Sequence, residues 1–117
     1  MALTFVRSRV FGMVNLERDR QVMRWGQQNH ATLPTGGYLP RGRSALVYQD
    51  EADHWKQQNA ADSRAEGGDV TWDGILLEEV YEALAETDPE KRLVELTQVA
   101  AVAVAMMEQI ERERATR

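Results

Sequence analysis

The stretch EEVYEALAETDPEKRLVELTQ, residues 78–98, reads as the end of one helix, a turn and the start of the next. Val80 and Leu84 before the turn, and Leu93 and Leu96 after it, recur at the spacing of a helix face. Asp88 reads as an N-cap, Pro89 as the first helical residue and Glu90 as an acid of the first turn. The connection is short, so the two helices are expected to pack antiparallel. Glu79 and Glu82 are spaced i, i+3, as are Glu95 and Gln98, while Glu78 and Glu82 are i, i+4, so each set shares a face. On antiparallel helices Glu79/Glu82 would face Glu95/Gln98. Ile75, Leu76, Leu77, Val80, Leu84, Leu93, Leu96 and Val99 interleave with these acids, which places some of them near an apolar seam. Carboxylates gathered in a partly dry site repel one another unless a cation sits among them. Oxygen ligands with open positions for phosphate and water are what Mg²⁺ takes. The plain alternative is the solvated face of a Glu-rich helix, against which the interleaved apolar residues weigh.

Working outward, two further helices are expected. One runs over residues 15–29, NLERDRQVMRWGQQN, with Asn15 as N-cap and Leu16, Val22, Met23 and Trp25 apolar. The next starts near Ser44 and ends at Gly67-Gly68, with Leu46, Val47, Tyr48, Ala52 and Trp55 as an imperfect stripe. The third helix starts behind Thr71 as N-cap and ends around Glu86 or Thr87; the fourth follows Asp88. Residues 31–43, ATLPTGGYLPRGR, and 67–70 read as loops. Residues 1–13 are open between a helical arm, a subunit contact and a tail. The fold class is therefore all-α: a single domain over 1–117, an antiparallel bundle of about four helices. The fourth helix is apolar nearly all round from Leu96 to Met107, and Ala100, Ala101, Ala103 and Ala105 would let neighbouring helices approach closely. A homodimer or homotetramer that completes the bundle is expected.

The chain of 117 residues has a net charge of −5, and that charge is polarised. Residues 1–50 carry seven Arg against three acids; residues 51–117 carry seven bases against sixteen acids. General nucleic-acid binding, which calls for a basic face, is not expected. With no cysteine, neither a disulfide framework nor a thiolate metal site is possible. The N-terminus lacks a signal-peptide pattern, and the longest apolar run, 99–107, is far short of the ~20 residues that cross a bilayer. The expectation is a soluble, cytoplasmic protein with no membrane association. TGG at 35–37 lacks the rest of a phosphate loop, so P-loop chemistry is rejected, and no Ser-centred nucleophile motif appears. The two histidines, His30 and His54, have no partner at metal-ligand spacing.

EEVYE followed after twelve residues by ELTQ resembles the EExxE…ExxD signature of the all-α nucleoside triphosphate pyrophosphohydrolases of the MazG-like and dimeric dUTPase type. The likeness extends to RQVMRWGQQNH at 20–30, to TWDGILLEEVYEALAE and to ELTQVAAVAVAMMEQI, which look like the small MazG-like proteins of bacteria and their phages. It implies Mg²⁺, with Mn²⁺ as a substitute, held between two antiparallel helices. The implied reaction is hydrolysis of a nucleoside triphosphate to monophosphate and pyrophosphate, with control of the nucleotide pool as its role. Carried over by position, Glu79 and Glu82 are the metal-binding and catalytic acids of the first motif and Glu95 that of the second. Glu78 is a further or bridging acid. Gln98 stands where the family usually has Asp; its carbonyl can ligate a hard cation but brings no charge and no base, so a nucleotide binder or sensor without turnover is the alternative. A helical interaction module is the third reading.

For the substrate, Arg24, Trp25, Gln28, Asn29 and His30 offer a phosphate partner, a stacking face and polar groups able to read a base edge. Trp25 reads equally as a core residue and His30 as a C-terminal helix residue favoured by the macrodipole. Trp72, one turn before the acids, is an anchor or a stacking wall. Arg41, Arg43, Lys91 and Arg92 would reach a triphosphate or simply solvate the surface.

Overall fold

The structure, a computed structural model, describes residues 3–34 and 43–116. These residues form four α-helices and no strand: α1 (Leu3–Trp25), α2 (Ala45–Arg64), α3 (Trp72–Ala85) and α4 (Pro89–Ala115). The all-α class is as expected. TGG at 35–37 and Arg41 lie outside the described residues. The chain divides into two compact units, Met1–His30 with Ala103–Arg117, and Ala31–Val102.

In the first unit, α1 corrects the expected helix at both ends. It begins at Leu3, not at Asn15, so residues 3–13 are helix rather than tail and Asn15 is an interior position. No proline interrupts 3–25, and Gly12 costs a helix interior only ~1 kcal/mol relative to Ala. Val6 and Val10, one turn apart, are both 0% exposed and tie this segment to the protein. At the other end, Gly26 adopts φ +68° and its N–H reaches Val22 O at 2.7 Å. A left-handed glycine just past the last helical residue is a helix stop. The helix therefore ends at Trp25, not Asn29, and His30 lies beyond its last turn. In the same unit α4 buries Val104, Glu108 and Glu111. The acids are paired: Arg7 with Glu108 at 3.5 Å, Arg9 with Glu111 at 3.0 Å and Arg114 with Glu111 at 3.1 Å.

In the second unit, α2 starts as expected, with Ser44 Oγ accepting from Val47 N–H at 3.3 Å. It packs against α3. Tyr48 stacks on Tyr81 with ring centroids 6.0 Å apart, and Asn59 donates to Gly74 O at 3.1 Å. The early part of α2 thus meets the late part of α3, and the pair is antiparallel. Thr71 occupies the N-cap of α3 as expected, but its hydroxyl donates to the Asp73 carboxylate instead of accepting a helix N–H. That bond and the Gly74 N–H hold the Asp73 carboxyl below its ordinary range.

The turn into α4 is clamped by Arg92. Its Nε donates to Glu86 O at 3.0 Å and its Nη2 to Thr87 O at 3.2 Å, satisfying carbonyls left open at the end of α3. Arg92 is therefore a turn clamp, while Lys91 is exposed. α4 also holds an 18-residue window of mean hydropathy 1.4, long and apolar enough to cross a bilayer by length and composition. Counting only unbroken apolar residues misses this window; core helices of soluble proteins share the property.

Candidate acidic metal centre

The acids of residues 78–95 all belong to the second unit. At ~100° per residue, α3 places Gly74 and Tyr81 on the face that meets α2, and the buried Ala83 on the opposite face. Glu78, Glu82 and Glu79 fall in the arc between, about 40°, 80° and 140° round from Gly74. Each is consequently half-buried: the helix is covered on both flanks of the arc.

One carboxylate oxygen from each of Glu78, Glu79 and Glu82 lies within 4.8 Å of the others. Glu95, half-buried on α4, is close enough for its charge to act on both Glu79 and Glu82. Among the described residues, none of these four acids has an ion-pair partner. Glu79 Oε2 and Glu95 Oε2 are buried without a hydrogen-bond partner. Burial first, then the charges of Glu79, Glu78 and Glu95, push the Glu82 carboxyl up to about 7, and a hydrogen bond with Glu78 adds to this. Glu79 is raised by burial, then by Glu78 and Glu95. Both shifts say that the cluster holds more negative charge than its surroundings compensate.

Orphaned, partly dry carboxylate oxygens fit a hard divalent cation in donor type and in charge. Glu79, Glu82 and Glu95 would hold it, with Glu78 beside them. Gln98 is exposed on α4. Trp72, half-buried, is the first residue of α3 and lies two turns before Glu79 on nearly the same face.

The remaining candidates for substrate, Arg24, Trp25, Gln28 and His30, belong to the first unit. All four are exposed, so Trp25, at 58% exposure, is not a core residue. The Arg24 guanidinium lies 4.8 Å from the centre of its ring, a cation–π pair presented to solvent. Arg43 is exposed. A cavity of about 570 Å³ in the first unit is lined by Met13, Val14, Leu16, Glu17, Gln21 and Met107 and by none of Glu78, Glu79, Glu82 and Glu95. Chemistry, not cavity size, singles out the acidic centre.

Sequence reasoning passed over Asn59. Its Nδ2 donates to Glu78 Oε1 at 3.0 Å as well as to Gly74 O. Asn59 sits in the polar half of α2, where nothing in the local pattern sets it apart from Gln57 or Gln58. Only Gly74 carried a signal: a glycine inside an otherwise strong helix has a packing reason. Compared with protein-family profiles, with characterised proteins and with solved structures, the chain matches none.

Proposed function

We propose that the protein is a Mg²⁺-dependent nucleoside triphosphate pyrophosphohydrolase of MazG-like type, acting in the cytoplasm as a homodimer or homotetramer and removing surplus or non-standard nucleotides. The observation that carries the reading is the uncompensated cluster: three converging carboxylates, a fourth acting on them, and two buried oxygens with no partner. The motif spacing at 78–98, and its resemblance to EExxE…ExxD, supplies the reaction class.

Bound Mg²⁺ would neutralise phosphate charge and acidify a coordinated water. The chain's own acids do the rest. Glu79, Glu82 and Glu95 would hold the cation through carboxylate oxygens. Water adds across the bond between α- and β-phosphate, giving monophosphate and pyrophosphate, and its proton needs an acceptor. Glu82 takes that role by its position in the cluster, where its carboxylate lies within 4.8 Å of those of Glu78 and Glu79. Within the second unit, Trp72 is the aromatic face offered to a base and Lys91 a phosphate partner.

Gln98 favours a second reading on one observation. It is neutral and exposed at the position where the resemblance calls for Asp. With one anion fewer, the same centre would bind a nucleotide–metal complex without turning it over.

The test is pyrophosphate release from a panel of standard and modified NTPs and dNTPs with Mg²⁺ or Mn²⁺, alongside Glu82→Ala. Turnover that disappears in the variant is the expected result. Nucleotide binding without product, even at enzyme concentrations near the substrate's, would replace the hydrolase with the binder. Absence of both binding and product would remove the nucleotide reading.

A further inference from the structure

Asn59 reaches across from α2 to α3 and makes two donations with one Nδ2, to Gly74 O at 3.1 Å and to Glu78 Oε1 at 3.0 Å. Both partners are acceptors, so the amide has one sensible orientation; reversing it would set Oδ1 against two oxygens. That orientation leaves Asn59 Oδ1 buried without a partner. The approach depends on Gly74, because a Cβ there would stand 2.1 Å from Asn59 Oδ1. The unpaired oxygen costs on the order of 1–3 kcal/mol, and a mid-helix carbonyl such as that of Gly74 already has a place in the helix's own ladder. The donation to Glu78 is what the arrangement secures.

From this geometry we infer that Asn59 is a positioning residue of the acidic centre. It holds one oxygen of Glu78 and so turns the carboxylate toward Glu79 and Glu82. A neutral donor suits the task. The arginines on Glu108 and Glu111 cancel the acid's charge, whereas an amide fixes the carboxylate and leaves its charge for a cation. Gly74 supplies both the space and the second acceptor. The inference rests on the cation-site reading above.

The test uses the full chain and Mn²⁺ alone, with the free ion followed by electron paramagnetic resonance. Asn59→Ala should raise the half-saturating Mn²⁺ concentration roughly tenfold, within the 10–100-fold range for losing a group that orients a ligand. Glu78→Gln should raise it at least as much, and the double variant should be no worse than Glu78→Gln by more than about twofold. Asn59→Leu, which fills similar space without a donor, should repeat the Asn59→Ala result and covers the case in which the smaller residue fails to fold. Equal Mn²⁺ binding by Asn59→Leu and wild type, with only a change in melting temperature, would reduce Asn59 to a helix fastener. An Asn59 effect that persists undiminished in the Glu78→Gln background would also overturn the inference. If wild type itself binds no Mn²⁺, the cation site falls and this inference with it, an outcome distinct from the other two.

Discussion

Two places in this protein bury acids, and they treat them in opposite ways. Glu108 and Glu111 on α4 are 7% and 9% exposed, and each has at least one arginine within ion-pair distance. Glu78, Glu79, Glu82 and Glu95 are half-buried, yet among the described residues they have no cation, only one another and an amide. Removing an acid from water without a partner is costly, and a chain that needs the acid only for structure supplies the partner. Among its described residues the second unit supplies none, and Glu82 has a carboxyl raised to about 7 by burial and by its acidic neighbours. The first cluster carries its own counter-charges, and the second, among the described residues, does not.

The sharpest way to break the comparison is at Glu82. Glu82→Gln keeps the shape and removes the charge; pyrophosphate release should fall by roughly a hundredfold to ten-thousandfold, the range for losing a general base. A loss under threefold would show that Glu82 is merely a neighbour of the site. Gly74→Ala comes next. Its Cβ would land 2.1 Å from Asn59 Oδ1. Overpacking of about 1–3 kcal/mol should outweigh the ~1 kcal/mol that alanine gains in a helix. A lower urea midpoint is expected, and an unchanged or higher one would mean that Asn59 moves aside freely.

The two clusters should also answer neutralisation with opposite signs. Glu111→Gln leaves Arg9 and Arg114 without their carboxylate, but both guanidinium groups are over half exposed, so the loss should be about 1 kcal/mol. Glu82→Gln relieves repulsion and should raise the melting temperature of cation-free protein. Matching signs in a thermal melt would erase the distinction between the clusters.

The pH dependence follows from the same difference. Glu82 ordinarily titrates near 4.5 and here near 7, so between these values the folded protein holds a proton that the unfolded chain has lost. Stability from this group is fully present below about 4.5 and is lost as pH rises through about 7. Glu79, raised in the same direction, adds to the loss. Cation-free protein should therefore weaken across this window in denaturant titrations. Saturating Mn²⁺ should remove that weakening, because cation and proton compete for the same oxygens. A cation-free profile that rises with pH would contradict the cluster's electrostatics. The smallest effect is expected from Gln98→Asp. The site is exposed and screened, so the half-saturating Mn²⁺ concentration should drop by less than about tenfold; no change would place Gln98 outside the site.

Legibility differed by element for physical reasons. The start of α4 was plain because Asp88, Pro89 and Glu90 act locally, and Ser44 likewise caps α2. α1 was misplaced at both ends. Asn15 has the chemistry of a cap without the position of one, and Gly26 looked like an interior glycine until its φ of +68° showed it to be the stop. Burial of Val6 and Val10, a tertiary event, decides that the helix begins at Leu3. In the acidic centre, the spacing of Glu78, Glu79 and Glu82 by itself puts them on one arc of a helix. Trp25 and Arg92 were open in sequence, and their environments resolved them into an exposed ring under a guanidinium and a turn clamp.

By itself, then, the sequence determined that the chain is helical, where three of its four helices start, and that three acids share one arc of α3. These depend on periodicity and on caps, which are contacts between residues a few positions apart. Tertiary structure alone decided that those acids have no ion-pair partner among the described residues, that Glu108 and Glu111 do, and that Asn59 lies against Gly74 and Glu78. Each of these turns on which groups from distant parts of the chain meet in a place where water no longer screens them, and burial of that kind has no local signature.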